Sequence, residues 1–566
     1  MEKRELVHLP IHRHPLIPRD MSILHCEMCL IRQKNSDGYR CDSQTCLFVI
    51  HRECAESPLE LHHPYHPPHP LALRPLDHDL GEASQLCSFC AEKLIGGWVY
   101  HCPDCKFIVH LLCARKPPAV DLVQPKSHGH KLFLLPKPRI FTCDACGLTL
   151  DTPSLPCACL QCGVILHGSC VGLPRVIRIS RHHHRLRYAS SPPPSHEAWC
   201  CGVCRKAVDG QYGAYFCVNS CRYVVHAKCA TRKDVWDGED LEGMPEEPED
   251  VEEPFEVIND KVIRHFIHEH HLQLNEVDSA RLDGSEHCQI CALSIRIHPG
   301  NIYRCTQCDC GFVLHETCAN LPRTTWHMLH PHRLKLQTCG TEVDMCDICL
   351  RHFSGFKYDC GREDCYFKID VRCAAVSEPL LHITHPHPLF SLSNLFRGKA
   401  CSGCKETDSF STKMECIECD FCLCFDCITL PPKVRWYEQD RHPLALGGGG
   451  GGEEEGGENW WWCEICEEKM DPGEGLYYTC DACCVTVHAH CLLGADPLMK
   501  TGHYSDPYVD PDSVPPRPTE FETLANISCS RPFCRVCRRR CPFPTVFRAK
   551  GHHFCTYHCL NFCVWF

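Results

Sequence analysis

The sequence contains no long apolar run, and this absence limits the kinds of protein that it can encode. No stretch approaches the roughly 18 consecutive apolar residues that a membrane-spanning helix requires, so we expect no membrane span. The first residues, MEKRELVHLPIHRHPL, contain no apolar core of the length found in signal peptides, so we expect an intracellular protein of the cytoplasm, the nucleus or both. No phosphate-binding loop, nucleophile elbow or pair of catalytic carboxylates is recognisable, and we therefore expect no enzyme.

Cysteine and histidine, by contrast, are abundant, with 54 and 41 copies in 566 residues. Cysteine alone at this level would indicate a secreted disulfide scaffold. Disulfides need no histidine, however, whereas thiolates and imidazoles together are the ligands of structural zinc. The composition therefore predicts a zinc protein in a reducing compartment.

The chain is acidic, with a formal net charge of -13 when histidine is neutral. A site of three thiolates and one imidazole adds about one further negative charge when it holds a divalent cation. This charge opposes non-specific binding to nucleic acid, which depends on neutralising phosphates, and it does not favour an anionic membrane surface.

A pattern of metal-ligand residues recurs eight times and divides most of the chain into modules one to eight. Each copy has a leading histidine, a first cysteine pair, a second cysteine pair and a final element of the form His-x-x-Cys. The leading histidines are His14, His69, His130, His184, His270, His332, His387 and His442. The first pairs are Cys26 and Cys29, Cys87 and Cys90, Cys143 and Cys146, Cys201 and Cys204, Cys288 and Cys291, Cys346 and Cys349, Cys401 and Cys404, and Cys463 and Cys466. The second pairs are Cys41 and Cys46, Cys102 and Cys105, Cys159 and Cys162, Cys217 and Cys221, Cys305 and Cys310, Cys360 and Cys365, Cys416 and Cys419, and Cys480 and Cys483. The final elements are His51 and Cys54, His110 and Cys113, His167 and Cys170, His226 and Cys229, His315 and Cys318, Asp370 and Cys373, Cys424 and Cys427, and His488 and Cys491. Such ordered spacing is typical of tetrahedral structural zinc.

Three low-complexity segments interrupt this series, and we expect each of them to be flexible. An acidic stretch follows module four, a Gly/Glu-rich run lies within module eight, and a Pro- and Asp-rich passage precedes a different cysteine-rich tail. The predicted boundaries are 8–63, 64–125, 126–180 and 181–233 for modules one to four, 234–257 for the acidic linker, 258–327, 328–382 and 383–432 for modules five to seven, 440–505 for module eight with its insertion at 447–458, 506–525 for the second linker and 526–566 for the tail.

Each module is about 55 residues long, too short to be stabilised by its own apolar core. Folding should therefore depend on zinc, which contributes ~10–16 kcal/mol per structural site. Apolar residues stand one and three positions before the final histidine, and this alternation predicts a short strand with one buried face. We interpret the aromatic residues of each module as a small core packed around the metal. They are Phe48, Phe107, Tyr223, Phe312, Phe367 and Phe421 before the final element, and Tyr39, Tyr100, Tyr215, Tyr303, Tyr358 and Tyr478 before the second pair.

With these motifs, the chain resembles the divergent form of the phorbol-ester/diacylglycerol-type zinc finger, a cysteine/histidine-rich repeat family abundant in plants. The resemblance implies small metal-stabilised β-rich α+β modules in tandem, each with a short C-terminal helix and up to two interleaved zinc ions. It also implies that the first pair and the final element form one site, which we call the first site. The leading histidine, the second pair and a late eighth ligand would form the second site.

The late ligand is the least regular part of this scheme. We expect His63, His327 and His382 to supply it in modules one, five and six, and His128, His182 and His503 are the candidates in modules two, three and eight. Modules four and seven show no convincing eighth ligand. In module five, either Cys308 or Cys310 can complete the second pair, and the distance to His315 favours Cys310.

Two modules and the tail depart from the pattern. Asp370 replaces the final histidine of module six, and a carboxylate can bind zinc beside three thiolates. Cys424 takes the same position in module seven and predicts an all-cysteine site. The tail is similar to a terminal segment found in the same family, and we expect it to hold one zinc; the alternative is a loosely ordered tail with free thiols. The expected ligands of the tail are Cys534, Cys537, Cys555 and Cys559.

For function, we expect an intracellular scaffold or adaptor that binds other proteins, in signalling or in a stress response. The alternatives are a zinc-dependent nucleic-acid-binding regulator and an array that senses diacylglycerol. The parent lipid-binding finger grips its ligand between two apolar loops, helped by a Gln-Gly turn before the second cysteine pair. The modules here lack that turn, so lipid binding is not the favoured hypothesis.

Overall fold

The structure is a computed structural model of the chain. It describes residues 6–43, 46–63, 66–76, 86–88, 93–105, 107–115, 126, 128–135, 138–151, 153–191, 198–219, 221–246, 252–276, 286–295, 297, 300–307, 310–392, 399–407, 412–435, 442–448, 461–470, 475–506, 520–526 and 531–562. By contacts the chain divides into two compact units, Met1–Pro245 and Glu246–Phe566, and each is described by itself.

The first unit contains modules one to four. Module one has β1 (Leu16–His25), β2 (Arg32–Cys41), β3 (Val49–His51) and α1 (Arg52–Ala55). Module two has β4 (Glu60–His63), β5 (His66–Pro75), β6 (Trp98–His101), β7 (Ile108–His110) and α2 (Leu111–Arg115). Module three has β8 (Phe133–Leu134), β9 (Pro156–Ala158), β10 (Ile165–His167) and α3 (Gly168–Val171). Module four has β11 (Val176–Ile179), β12 (His182–Ala189), β13 (Trp199–Cys200), β14 (Ala207–Val208), β15 (Ala214–Cys217), β16 (Val224–His226) and α4 (Ala227–Ala230).

The second unit contains modules five to eight and the tail. Module five has β17 (Phe255–Asn259), β18 (Val262–His265), β19 (Leu272–Asn275), β20 (Ile302–Cys305), β21 (Val313–His315) and α5 (Glu316–Ala319). Module six has β22 (Thr324–His327), β23 (His330–Thr338), β24 (Asp344–Met345), β25 (His352–Phe353), β26 (Phe356–Cys360), β27 (Lys368–Asp370) and α6 (Val371–Ala374). Module seven has β28 (Leu389–Phe390), β29 (Lys413–Cys416), β30 (Cys422–Cys424) and α7 (Phe425–Ile428). Module eight has β31 (Lys433–Arg435), β32 (Pro443–Gly448), β33 (Trp461–Trp462), β34 (Lys469–Met470), β35 (Leu476–Cys480), β36 (Val485–His488) and α8 (Ala489–Leu493). The tail has β37 (Gly502–Ser505), β38 (Glu520–Ala525), β39 (Thr545–Ala549), β40 (His552–Phe554) and α9 (Tyr557–Phe562).

The strand that ends at the final element confirms the alternation read from the sequence. In module two, β7 pairs antiparallel with β6, with Val109 opposite Tyr100. Both of these side chains are buried, and the final histidine closes the strand before a helix of one turn. The alternating apolar residues therefore place the final histidine and cysteine at the junction between sheet and helix.

Each even-numbered module contains its own four-stranded antiparallel sheet. The first strand of that sheet follows directly after the helix of the preceding module. The strand orders are β4-β5-β6-β7, β11-β12-β15-β16, β22-β23-β26-β27 and β31-β32-β35-β36. The tail sheet repeats this order as β37-β38-β39-β40. The sequence-based boundaries placed these first strands in the preceding module or between modules, and the structure corrects them: β4, for example, lies within the range 8–63 but pairs with β5 of module two.

A tyrosine hydrogen bond joins each even-numbered module to the module before it. The tyrosine two residues before the second pair donates its hydroxyl to the carbonyl oxygen of a proline just beyond the preceding helix. The pairs are Tyr100 to Pro58 (2.7 Å), Tyr215 to Pro174 (2.7 Å), Tyr358 to Pro322 (2.6 Å) and Tyr478 to Pro431 (2.8 Å). All four tyrosines are almost fully buried, so their predicted role in the core is confirmed.

A backbone hydrogen bond at the same position in every pair makes a second link. The amide nitrogen four residues before the second pair donates to a carbonyl between the two cysteines of the preceding module's first pair. These bonds are Trp98 to Met28 (2.7 Å), Gly213 to Asp144 (3.1 Å), Phe356 to Ile290 (3.1 Å) and Leu476 to Gly403 (3.0 Å). The approach is close enough that a Cβ at Gly97 or Gly355, both with positive φ, would lie 2.7 Å from the accepting carbonyl oxygen. The modules therefore form pairs one–two, three–four, five–six and seven–eight.

The apolar cores follow this pairing in the first unit, whereas the second unit divides its core differently. One buried cluster spans modules one and two, another spans three and four, and a third extends over modules five, six and seven. Separate clusters lie in module eight and in the tail. A core shared between two modules offsets the small size of each module.

Parts of the predicted linkers are ordered. Val235 is fully buried in the core of modules three and four, and the amide of Leu241 donates to the carbonyl of Val176. Residues 234–246 therefore lie on module four, and residues 255–257 of the predicted acidic linker belong to β17. Residues 520–525 of the second predicted linker form β38 in the tail sheet. Residues 247–251, 449–460 and 507–519 lie outside the described residues.

Within the described parts of the chain, none of the helices has the length and apolar character that a membrane crossing requires.

Candidate metal centres

In the modules whose first-site residues are all described, the first site gathers four potential ligands around the junction between the last strand and the helix. In module one, the ligand atoms of Cys26, Cys29, His51 and Cys54 all lie within 4.8 Å of one another, and module three repeats this set. The histidine atom that faces the cysteines is Nδ1. The second cysteine of the first pair lies 3.3–3.5 Å from this nitrogen in modules one, three, four, five and eight.

These distances match a bound zinc ion. Zinc–sulfur bonds of about 2.3 Å and zinc–nitrogen bonds of about 2.0 Å at tetrahedral angles place ligand atoms about 3.5–3.8 Å apart. In the all-cysteine site of module seven, Cys401 lies 3.7 Å from Cys427, and Cys404 lies 3.7 Å from Cys424. A disulfide would need a sulfur–sulfur distance of about 2.05 Å. The cysteines that the structure describes form no disulfides with one another, which favours the zinc interpretation.

Backbone amides support the thiolate ligands. In module three, the amide of His167 donates to the sulfur of Cys143, 3.3 Å away, and in module seven, the amide of Cys424 donates to Cys401 at 3.2 Å. Hydrogen bonds to a thiolate favour its charged form. In module one, hydrogen bonds from Cys29 and then Cys54 lower the pKa of Cys26 to about 2.

The final histidine of module four, His226, responds to the same clustering. Hydrogen bonds to Cys201 and Cys204 raise the pKa of His226 to about 10 in the absence of metal. Its Nε2 atom lies 3.1 Å from the carbonyl oxygen of Ala207, which orients the ring. Metal binding must displace the proton from Nδ1, so zinc binding at this site releases protons.

Module six brings Asp370 into the first site, as the sequence predicts. One carboxylate oxygen of Asp370 lies 3.6 Å from the sulfur of Cys349, and the residue is buried. Cys346 and Cys373 are also buried and interact electrostatically with the carboxylate. In module two, the first site is described only in part, because its ligand Cys90 lies outside the described residues.

The second site contains two histidines from one short segment, and this differs from the prediction. In module one, the group is His12, His14, Cys41 and Cys46. The leading histidine His14 is therefore correctly assigned, but its partner is His12 rather than His63. Modules two and three repeat the arrangement, with the groups His66, His69, Cys102 and Cys105, and His128, His130, Cys159 and Cys162.

The same geometry recurs in the later modules. The first histidine presents Nε2 to the second pair, as at His268–Cys310 (3.5 Å), His330–Cys365 (3.6 Å) and His385–Cys419 (3.5 Å). The leading histidine presents Nδ1, as at His184–Cys217 (3.7 Å), His332–Cys360 (3.6 Å), His387–Cys416 (3.8 Å) and His442–Cys483 (3.2 Å). Cys310 faces His268 in module five, whereas Cys308 lies outside the described residues.

The histidines predicted as late ligands have other roles. His63, His327 and His382 each stand three residues before the first ligand histidine of the following module. The Nδ1 atoms of His327 and His382 accept the backbone amides of Leu329 and Thr384, so these rings shape the turn before the ligands. The prediction was wrong because the chain beyond each helix starts the next sheet instead of returning to its own module.

The remaining late candidates are also reassigned. His128 and His182 belong to the segments of modules three and four rather than to modules two and three. His503 lies on β37, is mostly exposed, and has Nε2 3.5 Å from a carboxylate oxygen of Glu522. Modules four and seven do have candidate eighth ligands, namely His182 and His385.

A simple sequence signal marks the ligands that were missed. A second histidine stands two or three residues before the leading histidine in seven modules: His12, His66, His128, His182, His268, His330 and His385. In module eight, Asp440 takes this place and lies outside the described residues.

The aromatic residue before the final element stacks on this first ligand histidine. Ring centroids lie 4.0–4.6 Å apart and the planes are within 9° of parallel for His12–Phe48, His66–Phe107, His182–Tyr223, His268–Phe312, His330–Phe367 and His385–Phe421. Residues that orient a metal ligand typically change metal affinity by about 10–100-fold when they are replaced. Burial lowers the pKa of His330 to about 3, which keeps this ligand neutral as metal binding requires.

The tail holds one cysteine cluster in the position of a first site. Cys555 lies 3.6 Å from Cys537 and 3.5 Å from Cys559, and the backbone amide of Arg535 bonds to the carbonyl of His553. Cys534 is buried beside them. The four predicted tail ligands therefore come together on a sheet of the same strand order as the even-numbered modules.

Comparison with models of protein families identifies the family of this chain. A model described as the C1 domain matches residues 64–114, 126–171, 180–230, 266–319 and 439–492. A second model, described as C1 domain-like, C-terminal, matches residues 521–560, so that the matches together span about half of the chain. The chain belongs to the C1 domain family. Modules one, six and seven lie outside the matched residues, yet they gather ligands at the same positions, with Asp370 and Cys424 in place of the final histidine in modules six and seven.

C1 domains bind two zinc ions each, and the paired ligand groups described above suit this stoichiometry. The protein is therefore a zinc-binding protein of many C1 domains with a C1-like tail. Comparison with curated proteins and with solved structures finds no significant match.

Proposed function

We propose that this C1 domain array is a scaffold without catalytic activity that binds other proteins inside the cell, in the cytoplasm, the nucleus or both. C1 domains mediate protein or lipid interactions, so two classes of partner have to be distinguished. Each first site described here offers four ligands, which leaves no open position for a substrate on zinc.

The observation that carries the proposal is the hydrogen bond between the modules of each pair. In the lipid-binding form of the domain, the segment before the second cysteine pair helps to grip diacylglycerol. In the even-numbered modules, the amide four residues before that pair already donates to the preceding module, as Trp98 donates to Met28. A lipid entering there would compete with the contact that joins the two modules. This arrangement supports protein binding over lipid sensing.

The pairing also supports a scaffold on energetic grounds. Paired modules with a shared core present fixed surfaces, and several such surfaces on one chain increase apparent affinity through multivalency. The net charge of -13 opposes non-specific attraction to nucleic acid and to anionic membranes.

The test is a comparison of three retention experiments on zinc-loaded full-length protein. We expect partner proteins from the source tissue to be retained, and we expect their retention to fall when Cys143→Ser disrupts the pair of modules three and four. Vesicles with and without diacylglycerol, and DNA cellulose at low and physiological salt, are the other two arms. Zinc-dependent retention on diacylglycerol vesicles or on DNA, without protein partners, would contradict the proposal.

A second function, nucleic-acid binding, is favoured by one surface among the residues that the structure describes. Arg535, Arg538, Arg539 and Arg540 are exposed around the tail cysteine cluster, and Arg540 lies 4.8 Å above the ring of the exposed Phe533. Arginine beside an aromatic ring suits a stacked, single-stranded nucleic acid. If this surface binds DNA, Arg538→Glu with Arg539→Glu should abolish retention at low salt and flatten its salt dependence.

A further inference from the structure

Module six differs from the other modules at the residue that joins its last strand to its helix. Asp370 stands where six modules have a histidine, and it is only 2% exposed. The module lies outside the residues that the C1 domain model matches, so the chemistry of this site has to be read from the residues themselves.

The two oxygens of Asp370 have separate partners. Oδ1 accepts the backbone amides of Arg372 (2.9 Å) and Cys373 (3.0 Å) and so caps the helix α6. Oδ2 faces the sulfur of Cys349 at 3.6 Å. Only one oxygen is therefore directed toward the ligand group, and the helix start is held by the other.

The corresponding histidines do not cap their helices. His51, His167, His226, His315 and His488 accept no capping hydrogen bond from the backbone amides of the helix that follows them. In those modules, metal coordination is what ties the ring to the helix and the first pair. In module six, the Asp370 cap ties strand to helix even without metal.

The donor set of module six should also bind zinc less tightly. Three thiolates and one carboxylate give the loaded site about two net negative charges in a buried place, against about one for three thiolates and an imidazole. A carboxylate oxygen is a harder donor than imidazole nitrogen and is less suited to zinc among thiolates. Lower affinity and a retained helix cap together make the metal exchangeable.

The loop beside this site connects module six to modules seven and eight. Arg351 follows Cys349 by two residues; its Nη1 donates to the carbonyl of Ala495 (2.6 Å) and its Nε pairs with Asp426 (2.7 Å). The amide of Ser354 donates to the carbonyl of Leu498 at 2.9 Å. A change in the turn at Cys349 therefore reaches the helix of module seven and the segment after the helix of module eight.

We propose that Cys346, Cys349, Asp370 and Cys373 form an exchangeable zinc site whose occupancy sets how firmly the Arg351 loop holds the segment 495–500. The proposal does not depend on the scaffold function. It makes module six a place where the array can respond to the available zinc while the remaining modules stay folded.

The first test measures zinc release from the full-length protein under a chromogenic chelator. We expect Asp370→His to move one zinc equivalent from the fast phase to a phase about tenfold slower or more. The matched control, His315→Asp in module five, should add one equivalent to the fast phase. Asp370→Asn keeps an oxygen that can cap the helix but removes the anionic donor, so it should fold and contain one zinc fewer. Identical release profiles for the parent protein, Asp370→His and Asp370→Asn would overturn the proposal.

The second test follows amide hydrogen exchange while the fast zinc is withdrawn. The amide of Lys500 donates to the hydroxyl of Ser354 at 3.0 Å, so it reports on the loop contact directly. We expect its exchange to accelerate severalfold in the parent protein and to stay unchanged in Asp370→His under the same chelator. Fast zinc loss with unchanged exchange at Lys500 would refute the coupling to module eight.

Discussion

The hydroxyl of Tyr215 donates a hydrogen bond to the carbonyl oxygen of Pro174, 2.7 Å away, and both residues are buried. Tyr215 belongs to module four, whereas Pro174 lies just beyond the helix of module three. The bond repeats in the other three pairs, so we expect each pair, rather than each single module, to unfold as one unit.

Replacing this tyrosine should therefore weaken two modules at once. Tyr215→Phe leaves the buried carbonyl of Pro174 without its donor, and we expect a loss of about 1–2 kcal/mol in the free energy of unfolding. Denaturant unfolding of the zinc-loaded pair, followed by probes in both modules, measures it. Tyr39→Phe, at the same repeat position in module one, is the control and should cost less. Loss of stability in module four alone would contradict the pairing.

Loss of one first site should spread to the partner module. Cys143→Ser removes a ligand beside Asp144, whose carbonyl accepts the amide of Gly213 at 3.1 Å. We expect amide exchange at Gly213 to rise by at least tenfold, because the accepting turn depends on zinc. Cys463→Ser in module eight is the control and should leave Gly213 protected. Unchanged protection in Cys143→Ser would show that the modules fold independently.

The zinc content of two variants can distinguish a ligand histidine from a neighbouring histidine that does not bind metal. His268 presents Nε2 to Cys305 at 3.3 Å, whereas His265 lies 3.1 Å from the carbonyl oxygen of Ala319 through its own Nε2. We expect His268→Ala to contain one zinc fewer by elemental analysis. His265→Ala should keep its full zinc content and lose about 1 kcal/mol of stability. Equal zinc loss in the two variants would contradict the assignment of His268, rather than His265, as the ligand.

The stacked aromatic ring should contribute to the affinity of the second site. Phe421 lies parallel to the His385 ring with centroids 4.0 Å apart. We expect Phe421→Val, which copies Val164 of module three, to release the zinc of this site about tenfold faster under a chelator. Phe421→Tyr keeps an aromatic ring, as Tyr223 does in module four, and should release zinc at the parent rate. If Phe421→Val and Phe421→Tyr release zinc at the same rate, the ring contributes to packing of the core and not to zinc affinity.

Local spacing was enough to predict the first sites. The first pair, the strand and the final element are joined by short segments, so the distance along the chain limits the distance in space. The same reasoning located the unusual ligands Asp370 and Cys424 and the tail cluster, because each replaces a known position in a regular frame.

The prediction of the eighth ligand was wrong because closeness along the chain did not give closeness in space. His63 follows Cys54 closely in the sequence, but β4 carries it into the sheet of module two. His12 stands only two residues before His14. The local sequence, however, does not show that both rings face the same pair of thiols. The choice between two nearby histidines depends on which sheet the strand joins, and that is a tertiary property.

The amino-acid sequence by itself determined the metal, the repeat and most of the ligands, because coordination chemistry restricts residue type and spacing. Only the tertiary structure decided the pairing of modules and the identity of the second-site histidines. Both depend on the strand beyond each helix, which takes its partners from the next module, where it buries Tyr215 and its equivalents against the preceding proline.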